Sequence, residues 1–212
     1  MKSNDLIDML AKDWTPQKLH KPFGKVFFAC LAALLIFFMG FTYLLGFQST
    51  FEELLHEPIF LAELFTLILA LLFSSVMSVV AGIPGILEQT KTPLQILRLF
   101  GFIVLIESLY KVATSFISGP IFEDLGISCS VILFFSSLVG CLLLYIAGRR
   151  GTPTQISILA LSISLAGVST GLLVLLLHCE KHSTSHLAFG HLGGAIAAFF
   201  ILTKSLNRKL RW

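Results

Sequence analysis

Residues 59–82 read IFLAELFTLILALLFSSVMSVVAG, a run whose one ionisable group, Glu63, lies near its start. A helix needs about 20 apolar residues to cross a hydrocarbon core, and this run exceeds that length. It lacks the two-residue alternation of a barrel strand, and a helix satisfies its own backbone hydrogen bonds in lipid without closure of a barrel. Five more runs of this kind accompany it, at residues 24–47, 94–113, 127–147, 155–178 and 187–204. The first is too long for the apolar core of a signal peptide and follows a polar start, so it reads as retained. The expected fold class is therefore all-α, an integral membrane bundle of six transmembrane helices.

Composition excludes the alternatives. The chain is 56% hydrophobic and only 13% charged over 212 residues, whereas soluble domains carry about a quarter charged residues. The charges also alternate across the breaks between runs. Lys2, Lys12, Lys18 and Lys21 precede the first run and Lys25 lies at its start; Lys91 and Arg98, then Arg149 and Arg150, then Lys204, Arg208, Lys209 and Arg211 occupy every second break or end thereafter, with the flanking run ends. The opposite breaks hold only Lys111 and Lys181, against Glu52, Glu53, Glu57, Glu123, Asp124 and Glu180. Positive-inside counting then places both termini in the cytoplasm. It also accounts for the formal net charge of +3 without any direct contact to nucleic acid. The expected organisation is a cytoplasmic N-terminal partner-binding segment over 1–23, a transmembrane domain over 24–204 and a basic cytoplasmic tail over 205–212, with Trp212 as an interfacial anchor.

Enzymatic and transport signatures are missing. The chain has no phosphate-cradling Gly-Lys-Ser/Thr loop, no His-Glu-x-x-His and no Cys-x-x-Cys. It shows no internal repeat of the kind that builds many transporters. Glu107 and Lys111 are four residues apart, so they share a helix face and can neutralise each other; Glu63 lies near the outer interface. Gly190 and Gly194 form a Gly-x-x-x-Gly pair suited to close helix packing. Phe occurs in every run except the fifth, and Cys30 and Cys141 lie inside their runs as small packing residues.

Two features remain. On the outer side, His178 and Cys179 end the fifth run, His182 and His186 follow, His191 enters the sixth, and Cys129 opens the fourth. Imidazole and thiolate together are ligands for zinc, copper and related ions. The two cysteines could instead close a disulfide, or all six residues could simply pack at an interface. At the N-terminus, Leu6, Ile7, Leu10 and Trp14 fall on one arc of a short helix that Ser3 or Asn4 can cap. A helix so short needs a surface to lie on. Asp5, Asp8 and Asp13 would be repelled by anionic lipid, which favours a cytoplasmic protein partner over the membrane.

These features carry a resemblance. The opening DLIDMLAKD of residues 5–13, Leu177-His178-Cys179-Glu180, His191-Leu192-Gly193, Arg149-Arg150 with Pro153, and the terminal Leu210-Arg211-Trp212 resemble the NrsF family of negative regulators of sigma factor F. The likeness extends over essentially the whole chain. It implies a six-span inner-membrane anti-sigma factor of a proteobacterium, whose N-terminal segment holds an extracytoplasmic-function sigma factor. It further implies sensing by two outer-face cysteines, corresponding here to Cys129 and Cys179. The chain departs from the family where Cys-Pro-Glu becomes Cys179-Glu180-Lys181, and where Gly190 replaces an aromatic residue before His191.

The expected function is thus a non-enzymatic, membrane-bound anti-sigma factor that releases its partner on a redox or metal stimulus at the outer face. The alternatives are a small transporter or a metal-binding membrane enzyme. Leu6, Ile7, Leu10 and Trp14 are the expected partner-binding residues, and Cys129 and Cys179 the sensing thiols. His178, His182, His186 and His191 are the candidate metal ligands. No cofactor is required; a soft metal ion at the outer face is the one candidate. The expected partners are the sigma factor and the lipid bilayer.

Overall fold

The computed structural model describes residues 22–82, 92–118, 124–149, 155–181 and 183–210. The N-terminal residues Leu6, Ile7, Leu10 and Trp14, as well as His182 and Trp212, lie outside the described residues. Six long helical segments form one bundle: α1 (Pro22–Leu45), α3 (Pro58–Ala81), α4 (Thr92–Ser118), α5 (Ile127–Gly148), α6 (Ile156–His178), and a π-helix (His186–Gly193) that runs on into α7 (Gly194–Lys209). A single turn, α2 (Phe51–Leu54), lies between α1 and α3. There is no β-strand among the described residues.

The Phe-free run becomes the central helix. Nearly every residue of α6 from Leu159 to Leu177 is buried, with α3, α5, α7 and α1 packed around it. A helix with no solvated face needs small residues where neighbours come close, and α6 supplies Ala166, Gly167, Ser169 and Gly171 there. A Cβ on Gly167 would lie 2.6 Å from the Ser137 carbonyl oxygen, and one on Gly171 would lie 2.7 Å from the Leu133 carbonyl oxygen. Those distances are impossible without moving α5. Some of the buried hydroxyls follow the same logic. Ser78, Ser162 and Thr170 donate to carbonyls of their own helices at 2.7, 2.8 and 2.9 Å, so small polar residues fill the interfaces without leaving those protons unpaired.

The outer helices present large apolar residues outward. Phe28, Ile36 and Leu44 on α1, Phe65 on α3, Phe102 on α4, Val131 on α5 and Phe200 on α7 are all exposed. So many exposed large apolar side chains on five helices are unsuited to water.

Among the described residues, five helical segments are long and apolar enough to cross a membrane: 25–45, 58–81, 127–148, 156–178 and 186–209. The third run forms a helix of 27 residues that carries Arg98, Glu107 and Lys111 and is not in that group. One expectation needs correcting: the direct ion-pair partner of Lys111 is not Glu107. Its ammonium pairs with Glu63 on α3, whereas the Glu107 carboxyl lies against the Thr66 hydroxyl. Cross-helix distance decides this pairing, and spacing along one helix could not reveal it.

Candidate functional site

At one end of the bundle the chain makes three reversals, and they bring the soft ligands together. Gly126 starts α5 with φ +63°, a left-handed conformation natural to glycine. Its backbone N–H donates to Asp124 Oδ1 at 2.7 Å. A Cβ at Gly126 would lie 2.9 Å from Gly190 Cα and 3.1 Å from His186 Nδ1, so glycine also permits the close approach of the π-helix. Ser130 reinforces that approach by donating to the Gly190 carbonyl at 3.0 Å. The Gly190–Gly194 pair is thus a packing surface, and it packs against the start of α5.

The π-helix is the decisive local element. His186 and His191 are five residues apart, which in an α-helix of 3.6 residues per turn would set them about 140° apart. In i→i+5 register the two positions lie about one turn apart and face the same way. Their ring centroids are 5.4 Å apart. Cys179 reaches the same point from the end of α6, and Cys129 from the first turn of α5.

The result is a compact Cys₂His₂ cluster. One ligand atom from each of Cys129, Cys179, His186 and His191 lies within 4.8 Å of every other. The two sulfurs are 3.6 Å apart, and Cys179 Sγ is 3.2 Å from His186 Nε2. Both thiols are free and buried. A tetrahedral ion with metal–sulfur bonds of about 2.3 Å would hold two sulfurs about 3.8 Å apart, so the cluster needs little rearrangement to receive one. A disulfide would require the sulfurs to close to about 2.05 Å.

Charge prepares the cluster. Cys179 is held well below the ordinary thiol range, first by the hydrogen bond with Cys129 and then by His191. Asp124 Oδ2 lies 3.6 Å from His186 Nδ1 and 2.8 Å from Lys181 Nζ. The Lys181 ammonium and the Gly126 N–H lower the Asp124 carboxyl to about 2. Asp124 thus lies near the Nδ1 side of the His186 ring without a hydrogen bond to it, while the other nitrogen, Nε2, faces Cys179. Ser185 holds the same loop by donating to the Asp124 carbonyl at 2.9 Å. Sequence reading missed Asp124, although an acid two residues before a glycine at a helix start is a recognisable turn signal.

The other candidates divide. His178 Nδ1 contacts the Gly46 carbonyl oxygen at 3.0 Å, which ties the end of α6 to the end of α1 and takes His178 out of the cluster. Cys141 is buried against the Ile163 carbonyl, and Cys30 is buried in the core.

The model of a family described as negative regulator of sigma F matches residues 10–212. The chain belongs to the NrsF family. No curated protein and no solved structure matches it. Membership in NrsF makes the chain a negative regulator with a sigma factor as its partner, and favours a binding role over a catalytic one. The match includes Leu10 and Trp14 of the N-terminal segment and all four cluster residues.

Proposed function

We propose that this NrsF-family chain is an inner-membrane anti-sigma factor that holds an extracytoplasmic-function sigma factor and releases it when the Cys₂His₂ cluster captures a soft metal ion or is oxidised. The observation that carries this reading is the convergence of Cys129, Cys179, His186 and His191 within 4.8 Å in a chain of a regulatory family.

All six long helices cross the bilayer in this reading. α4 is admitted because the Lys111 charge is neutralised by Glu63, and because Arg98 lies near its other end. The basic ends then face the cytoplasm and the cluster faces the periplasm. The cluster joins α5, α6 and the π-helix, so an ion or a disulfide there changes how three helices pack at one end. Only a bundle with two arrangements can carry that change across the membrane. Metal–thiolate or disulfide bonds are strong enough to bias such an equilibrium.

The partner is held by the N-terminal segment. Replacing Leu6 and Leu10 by Asp is expected to abolish co-purification of the sigma factor while leaving membrane insertion intact. Burial of one Leu contributes ~1.5–3 kcal/mol, so losing two weakens binding by well over a hundredfold. Normal co-purification with the double variant would move the binding surface to the cytoplasmic loops. The sensing half is tested by Cys129→Ser and Cys179→Ser with sigma-dependent transcription as the readout under cadmium, copper, zinc and oxidant. Both variants are expected to lose induction. An undiminished response in both would end the thiol reading.

A further inference from the structure

A cavity of about 180 Å³ opens beside the cluster, bounded by the α1–α3 connection, the start of α3, the far end of α4 and the end of α6. Two of the four cluster residues, Cys179 and His191, stand in its wall, whereas Cys129 and His186 do not. An ion arriving through this cavity therefore meets Cys179 and His191 first. The remaining polar lining is Gln48, Glu57, Glu63 and Lys111. With Lys111 paired to Glu63, the two carboxylates outnumber the one ammonium, and the cavity is net negative.

Gln48 supplies an independent pointer. It is only 4% exposed. Its backbone N–H donates to the Leu177 carbonyl at 3.0 Å and its side-chain amide nitrogen to the Leu176 carbonyl at 3.0 Å. The amide is thereby fixed on the last turn of α6, and its Oε1 is left without a hydrogen-bond partner. A buried, immobilised carbonyl oxygen in the wall of a negatively charged cavity is a ready acceptor for a hydrated cation.

We propose that this cavity is a cation-capture antechamber to the cluster. It takes up a hydrated divalent cation on Gln48 Oε1 and the carboxylates of Glu57 and Glu63, and passes it to Cys179 and His191. Lys111 holds Glu63 in place until a cation competes for the carboxylate. As the ion moves inward it exchanges oxygen ligands for sulfur and nitrogen, the donors that soft and borderline metals prefer. The thiol protons leave as the metal–sulfur bonds form. Oxygen ligands at the mouth and sulfur ligands inside let the cavity collect cations broadly while the cluster selects among them.

This inference rests on the metal reading of the cluster, and the experiment separates the two. The probe is Cd²⁺ alone, mixed rapidly with the full chain in lipid nanodiscs. Loading is followed by the thiolate-to-cadmium charge-transfer absorption. Electrostatic focusing raises association rates by about 10- to 1,000-fold, so Glu57→Gln and Glu63→Gln together should slow loading at least about tenfold. The final absorbance should be unchanged. The wild-type rate should fall with added salt, and the double variant's rate, with Lys111 left unpaired, should not. Gln48→Leu should also slow loading. Adding Lys111→Met to the Glu57→Gln, Glu63→Gln pair repeats the test without an orphaned ammonium. Wild-type rates in all these variants would overturn the antechamber alone. No charge-transfer band in the wild type would overturn the metal reading, and the antechamber with it.

Discussion

At the residue scale, the chain of contacts Lys181–Asp124–His186–Cys179 joins a surface charge to a buried thiol. The Asp124 carboxyl is lowered from 3.8 to about 2, chiefly by the Lys181 hydrogen bond and then by the Gly126 N–H. A carboxyl lowered on folding stabilises the fold fully above its unfolded value, and that contribution is lost as pH falls through the folded value. Comparing the thermal unfolding of wild type and Asp124→Asn across pH should therefore show a constant gap above about 4 that closes toward about 2. A gap that persists unchanged at pH 2 would mean that Asp124 acts by shape and not by charge. Of the residues at this site, the two cysteines and His186 and His191 were legible in the sequence, because soft ligands crowd the ends of adjacent apolar runs. The exclusion of His178 was not legible. Its ring is taken by the Gly46 carbonyl, 132 positions away in sequence, and no local pattern encodes that contact.

At the element scale, the π-helix converts an unfavourable spacing into a shared face. A π segment of this kind behaves as an α-helix with an inserted residue and often marks a functional site. Deleting Ala188 would place His186 and His191 four apart, a separation that an α-helix accommodates on one face. Such a variant is expected to retain cadmium loading. Inserting an Ala after Ala188 separates the two histidines by six positions and is expected to abolish loading by both together, leaving a weaker site. The charge-transfer titration distinguishes these outcomes; full-affinity loading in the insertion variant would remove His191 from the ligand set. The helix positions were readable from hydropathy, and the central place of α6 was foreshadowed by its lack of Phe and its small residues. The π register was hidden, since periodicity over eight residues cannot tell 3.6 from a wider turn when Gly190, Gly193 and Gly194 interrupt the pattern. The charges of α4 were equally ambiguous, because the pairing that neutralises Lys111 comes from another helix.

At the scale of the whole molecule, one end of the bundle concentrates basic side chains and the other concentrates thiols and imidazoles, and the account joins them through helix packing. α6 touches α1, α3, α5 and α7, so a change at its Cys179 end is felt by most of the bundle. Close contacts such as Gly167 against the Ser137 carbonyl favour alternative packings over gradual deformation. The division of charge between the two ends was legible from the sequence, because Lys and Arg alternate across the breaks between apolar runs. The coupling between the ends was not, since it lives in contacts between helices. It is tested most directly by reconstituting the full chain with its sigma factor in nanodiscs, adding Cd²⁺ and measuring the fraction of sigma factor that remains bound. The account predicts release from the wild type as the charge-transfer band grows, and retention by the Cys129→Ser, Cys179→Ser variant at the same cadmium concentration. Full retention by a wild type whose cluster is saturated with cadmium would contradict it.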